Sequence, residues 1–195
     1  MSLSDEEVGE DGGDQRLQEL WAKKSRRRSS ELKILVQDNL EIRDNSKLTM
    51  HLAKNGETSI FFSDVVTKVN RKGRTQDRWL MITDGAVYNI DPTSVKIRRR
   101  IALSNISHIS TSQLSDNFFL IHVPTEYDYL YISGRKTEIV AVLRLAYMHA
   151  TGEELNVALH NIIDYRIDKE QQRRLVFQRG EDGVFTKIYA KKTTR

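Results

Sequence analysis

Between residues 60 and 132 the chain is cut into short segments rich in Ile, Val, Phe and Tyr, each ended by turn chemistry. The segments are Ile60–Asn70, Arg78–Thr83, Ala86–Ile90, Val95–Leu103, Ile106–Thr111, Asn117–Val123 and Asp128–Ile132. The breaks are Lys72-Gly73, Asp84-Gly85, Asp91-Pro92, Ser115-Asp116 and Pro124. β-Branched and aromatic side chains suit a pleated, half-buried surface, and Gly, Pro, Asn and Asp punctuate it. Connections this short leave no room for crossover helices, so neighbouring strands run antiparallel. The expectation is a mainly β fold, a sandwich or small seven-stranded barrel.

A helix follows. Ser133 is the expected N-cap, Ile139, Val142, Leu143, Ala146 and Tyr147 share a face at helical spacing, and Gly152 is the stop. The stripe is expected to close one end of the barrel. Arg173–Arg179 and Val184–Ala190 flank Gly180-Glu-Asp-Gly183, which predicts an extra C-terminal hairpin over 173–190. A short helix is expected near Ser46–Ala53. Upstream, residues 1–14 form an acidic tail with almost nothing to bury, expected to be disordered. Residues 15–37 form a helical extension in which Leu17, Leu20 and Trp21 precede the basic run Lys23–Arg28. That segment is either a solvated helix docked on the domain or a basic amphipathic helix for a membrane or partner. The main domain is expected over 38–195.

Composition narrows the function. The chain of 195 residues is 38% apolar, enough for one core. It has no cysteine, so disulfides and thiolate metal sites are excluded. No run of about 18 apolar residues exists. The acidic start is no secretory signal, so a cytoplasmic location is expected. Asp5, Glu6, Glu7, Glu10, Asp11 and Asp14 give residues 1–15 a charge of −6, leaving +10 for the rest of a chain whose net charge is +4. A body this basic expects anionic partners. The histidines, at 51, 108, 122, 149 and 160, have no metal-ligand spacing, and His122 sits in an apolar strand, as a hydrogen-bonded core residue would. No nucleophile elbow or cofactor motif is present, so neither catalysis nor a cofactor or metal is expected. The basic loop lacks interleaved aromatics for base stacking, which argues against nucleic acid.

The first hairpin, Phe61–Thr83, carries the candidate site. Lys68 and Arg78 stand at opposite roots, where cross-strand pairing would let their heads converge on one phosphate, and Arg71, Lys72 and Arg74 crowd a tip bent at Gly73. Such a tip suits a compact polyanion or an anionic surface. Five cations at about 1 kcal/mol each give ~5 kcal/mol, a Kd of roughly 0.2 mM, so tight attachment needs bidentate contacts or avidity. Secondary basic contacts are expected from Arg26, Arg27, Arg28, Arg98 and Arg100. Strand alternation sends Arg99 to the face opposite Arg98 and Arg100. Arg135-Lys136 opens the long helix. Arg26-Arg-Arg-Ser-Ser30 is also a candidate kinase substrate, in which phosphate on Ser29 or Ser30 would oppose the basic run.

Several stretches carry a resemblance. Asp38-Asn-Leu-Glu-Ile-Arg-Asp-Asn-Ser-Lys-Leu48, Phe62-Ser-Asp-Val-Val-Thr-Lys-Val-Asn-Arg-Lys72, Arg78-Trp-Leu-Met-Ile-Thr-Asp-Gly-Ala-Val-Tyr-Asn-Ile90, Arg99-Arg-Ile-Ala-Leu-Ser104, Ser115-Asp-Asn-Phe-Phe-Leu-Ile-His-Val123 and Arg174-Leu-Val-Phe-Gln-Arg179 resemble, in order, the tail homology 1 domain of class I myosins. The resemblance implies a pleckstrin-homology-like barrel closed by a C-terminal helix. It implies a peripheral membrane module that binds anionic phospholipids, phosphoinositides and phosphatidylserine among them, and links an actin–myosin system to the plasma membrane, endomembranes or cell cortex, with cytoskeletal protein partners. The family's headgroup lysine and arginine match Lys68 and Arg78. No phosphate-binding glycine loop or light-chain motif accompanies the match, so the chain is expected to be a free-standing domain or a piece of a longer one without ATPase activity. The alternative is a protein-interaction module on the same fold.

Overall fold

A computed structural model describes residues 37–191. The expectations for the acidic tail, the helical extension, Arg26, Arg27, Arg28, Ser29 and Ser30 lie outside those residues.

β1 (Gln37–Asp38) runs parallel to β2 (Ile60–Val69). On one side of β2 the antiparallel strands β3 (Thr75–Thr83), β4 (Ala86–Asp91) and β5 (Lys96–Ala102) follow as a meander. On the other side lie β8 (Tyr129–Ile132), β7 (Phe118–His122) and β6 (His108–Thr111), and then β9 (Val157–Leu159), parallel to β6. The path of the nine-stranded sheet is β5-β4-β3-β2-β8-β7-β6-β9. The expected closed barrel is not formed. β6 is paired with β7 and with β9, so β9 takes the edge that β5 would need to close the sheet.

Two helices and a second sheet cover the first. α1 (Ser46–Lys54) is capped by Asn45, whose side chain accepts from the Leu48 N–H at 3.2 Å. Its Leu48 and Leu52 pack with Ile42 on Met81, Tyr88 and Ile90. α2 (Lys136–Thr151) buries Ile139, Val140, Val142, Leu143 and Ala146 and ends at Gly152, φ 77°. It packs on β2, β3 and the turn Leu103–Asn105. Tyr147, expected in the stripe, is half-buried. The expected Ser133 cap sits two residues before the N-cap, Arg135: its hydroxyl accepts from the Arg135 N–H and orders the approach to the helix. β10 (Ile162–Arg166), β11 (Gln172–Gly180) and β12 (Gly183–Lys191) form a separate three-stranded antiparallel sheet. The hairpin expected at 173–190 thus gains a third strand. Ile163, Tyr165, Leu175 and Phe177 of this sheet pack on Val69, Leu120 and Leu130.

Glu57 joins α1 to the strands. It is 5% exposed and accepts from the Tyr88 hydroxyl at 2.7 Å and the Thr83 hydroxyl at 2.5 Å, and Arg100 pairs with it at 2.7 Å. Burial and the Glu57 carboxylate push the Tyr88 phenol well above its ordinary value. Deleting one member of such a network strands the others. Glu57→Ala should cost about 3 kcal/mol in urea unfolding, more than Asp91→Ala, which breaks an exposed pair with Arg98.

His122 is the hydrogen-bonded core histidine expected from its strand. Its Nε2 lies 2.9 Å from Ser110 Oγ, and its Nδ1 lies 3.2 Å from Asp128 Oδ2. His108 stacks on it with ring centroids 4.0 Å apart. Burial, then the charge of His122, pushes His108 below its ordinary value. A histidine depressed in the folded state charges more readily once unfolded. Its stability contribution is complete above the unfolded value near 6.5 and is lost as pH falls through it. The melting temperature should therefore drop between about pH 7 and pH 5, and His108→Gln should flatten that slope.

Candidate anion-binding site

The β2–β3 hairpin is built around Asn70. Its side chain accepts from the Lys72 N–H at 2.9 Å and the Arg74 N–H at 3.0 Å, and its backbone N–H donates to the Arg74 carbonyl at 2.9 Å. Gly73, φ 81°, makes the bend. This turn sets a register in which Lys68 faces Gln76 and Arg78 faces Val66. Lys68 and Arg78 are therefore not direct partners. They lie two residues apart along the pair, and alternation puts both on one face. Tyr131 lies across from Lys68 on β8, on that same face.

That face has an aromatic floor. Lys68 Nζ lies 4.8 Å from the centre of the Tyr129 ring and 5.6 Å from that of Tyr127. The Arg71 guanidinium lies 4.3 Å from the centre of the Tyr127 ring. An aromatic face attracts a cation without neutralising it. Burial pushes the Lys68 ammonium below its ordinary value. Tyr127 opposes the shift, and Arg78 and Arg71 add to it. Among the described residues Lys68 has no carboxylate within ion-pair distance, nor do Arg71, Lys72, Arg74 and Arg78. Arg78 is turned back on its own strand, donating to the Asp77 carbonyl at 2.6 Å and Gln76 Oε1 at 2.9 Å.

The remaining clusters are engaged. Arg98 pairs with Asp91 at 2.8 Å and Arg100 with Glu57 at 2.7 Å, so both expected secondary contacts already have a carboxylate partner. Arg99 lies on the face opposite Arg100, as alternation requires, but a register shift in the β4–β5 pair interrupts the alternation at Arg98. Arg99 pairs with Glu126 and donates to the Tyr129 hydroxyl at 3.1 Å. Arg135 pairs with Asp64 and Glu138, and Lys136 with Asp116.

A cavity of about 300 Å³ opens beside the hairpin, lined by Lys68, Arg71, Lys72, Tyr127, Tyr165 and Ile167 among others. A wider recess of about 810 Å³ shares Arg71 and Tyr127 with it and is bordered also by Arg99, Arg166 and Lys169. Arg173 of β11 donates to the Arg71 carbonyl at 2.7 Å. The site thus includes Tyr127, Tyr129, Tyr165 and Arg173, which lie far from the hairpin in sequence. A signal was available for Tyr127-Asp-Tyr129 in the aromatics that follow Pro124, but none for Tyr165 or Arg173. The arrangement offers unpaired cations and aromatic faces.

A family model described as unconventional myosin tail, actin- and lipid-binding, matches residues 26–195. The chain is 35% identical over 126 residues to myosin heavy chain IB of Acanthamoeba castellanii, covering 62% of this chain and 11% of that one. It is 31% identical over 176 residues to the myosin ID heavy chain of Dictyostelium discoideum, covering 80% of this chain and 16% of that one. The chain thus spans a small fraction of the length of these relatives. Among solved structures, the N-terminal PH domain of human ARAP2 superimposes with a TM-score of 0.39 at 18% identity, over 46% of this chain and 81% of that domain. With the family model matching residues 26–195, the chain belongs to the unconventional myosin tail family.

Proposed function

We propose that this chain is a pleckstrin-homology-like peripheral membrane module that binds phosphoinositide headgroups, with Lys68 and Arg78 as the specific contacts and Arg71, Lys72 and Arg74 as general attraction. The observation that carries this reading is Lys68: a lysine held over two tyrosine rings, partly stripped of water, with no carboxylate partner among the described residues. A desolvated ammonium is costly unless an anion arrives, and a phosphate oxygen supplies the missing charge. Arg78 spends its donors on neutral oxygens, which a phosphate would outbid. In this reading the module works in the cytoplasm, at the plasma membrane, endomembranes or cortex, on phosphoinositides and phosphatidylserine, and carries cytoskeletal partners to them. The runner-up, docking of a partner protein, draws on Ile162, Phe185 and Tyr189, which stand exposed on the C-terminal sheet.

Co-sedimentation with vesicles, with and without phosphatidylinositol bisphosphate, tests the assignment. Wild type should bind the bisphosphate vesicles, and Lys68→Ala and Arg78→Ala should each lose about tenfold in affinity, the scale of one charge-assisted contact. Equal binding by all three would leave diffuse charge as the better account. Wild type remaining in the supernatant would favour the partner-protein reading.

Stability gives a second test. A lysine depressed in the folded state is charged at a cost that is fully present at pH 7 and relieved only as pH rises towards its ordinary value near 10.4. Lys68→Met should therefore raise the melting temperature at pH 7 while weakening vesicle binding, the pattern of a residue kept for function. A lower melting temperature would mark Lys68 as structural.

A further inference from the structure

The recess that shares Arg71 and Tyr127 with the smaller cavity is walled by four parts of the chain: the β2–β3 turn at Arg71, β5 at Arg98 and Arg99, the loop between β7 and β8, and the end of β10 with the β10–β11 turn of the C-terminal sheet. Most of its cations are committed. Arg98 pairs with Asp91, Arg99 with Glu126, and Arg166 with Asp128 while also donating to the Val123 carbonyl at 2.9 Å. Of its acids, Glu126 is neutralised by Arg99, and Asp168 Oδ1 is turned into its own loop, accepting from the Glu170 and Gln171 N–H groups. Glu170 also borders the recess. Among the described residues Arg71 and Lys169 are the lining cations with no ion pair. Arg71 borders both cavities, and its position is fixed twice, by Tyr127 under the guanidinium and by Arg173 on its carbonyl. A volume of about 810 Å³ admits a substituted six-membered ring.

We infer that this recess is a second phosphate subsite, in which Lys169 of the C-terminal sheet and the shared Arg71 hold a second phosphate monoester of the same polyphosphorylated ring. The inference rests on the headgroup reading of Lys68 and deepens it. The C-terminal sheet becomes one wall of the binding site, and the preferred ligand carries more than one phosphate. One phosphate sits by Lys68 and the other across Tyr127, with Arg71 between them.

Calorimetric titration of the full chain with soluble inositol trisphosphate and inositol monophosphate tests this, using wild type, Lys169→Ala, Lys68→Ala and a control, Lys47→Ala, which removes the same charge from α1. Lys169→Ala should weaken the trisphosphate about fivefold, the worth of one lysine near a phosphate, and leave the monophosphate unchanged. Lys68→Ala should weaken both ligands and Lys47→Ala neither. If Lys169→Ala loses no more than Lys47→Ala on the trisphosphate, the subsite is wrong even where Lys68→Ala confirms the first site. If Lys169→Ala is selective while Lys68→Ala has no effect, the recess stands and the headgroup reading of Lys68 falls. Repeating the series on vesicles carrying phosphatidylinositol bisphosphate separates the sources. A loss in both assays assigns the subsite to the lipid headgroup, and a loss confined to the soluble ligand assigns it to free inositol phosphate.

Discussion

A sheet with apolar residues on both faces must be covered on both. Met81, Tyr88 and Ile90 point away from the face that carries Phe62, Leu80 and Ile82, yet all are buried. Leu120 and Leu130 stand in the same relation to Phe119 and Tyr131. Burying each such side chain contributes about 2 kcal/mol, so no single layer can be omitted. α2 takes one face, α1 with Ile42 takes part of the other, and the C-terminal sheet takes the rest. The order of elements follows from that double demand. A strand meander supplies the faces, and helices before and after it, with a late sheet, supply the covers.

The candidate site lies where the covering stops. Lys68 continues the face begun by Val66, but at the end of the strand no apolar cover reaches it. Tyrosines take over the floor. Ring faces suit that boundary because they give the lysine stem apolar area and its head a weak electrostatic attraction. Around it the arginines divide into two classes. Those with a carboxylate partner, Arg98, Arg99, Arg100 and Arg135, tie strands, loop and helix together. Those without one among the described residues are Arg71, Arg74 and Arg78 on the hairpin and Arg173 of β11 beside it. The number of cations in the chain overstates what a ligand meets, since many of them are already neutralised locally.

Local chemistry was legible in the sequence, and long-range pairing was not. The turn at Lys72-Gly73, the helix over 46–54 and the stop at Gly152 could be read because each depends on neighbours within a few residues. Lys68 and Arg78 could be assigned to the hairpin roots, but their two-residue offset depends on how Asn70 closes the turn. β9 and β10 escaped detection because they are short and take their order from distant partners, Ile109–Thr111 and Leu175. The missing closure of the sheet has the same origin: β9 won an edge that the strand pattern alone would give to β5. The orientation of Arg99 followed from alternation, whereas its partner Glu126 comes from a loop whose path no periodicity encodes.

The bond from Arg173 to the Arg71 carbonyl spans 102 residues of chain. A nascent polypeptide leaves the ribosome from its N-terminal end, so the hairpin emerges long before the residue that pins its tip. Until then the basic loop holds its own turn but lacks its anchor. Assembly of the candidate site is therefore a late event in biogenesis, coupled to the arrival of the C-terminal sheet. A truncated product would carry the cations without the geometry, and would cling to acidic surfaces indiscriminately.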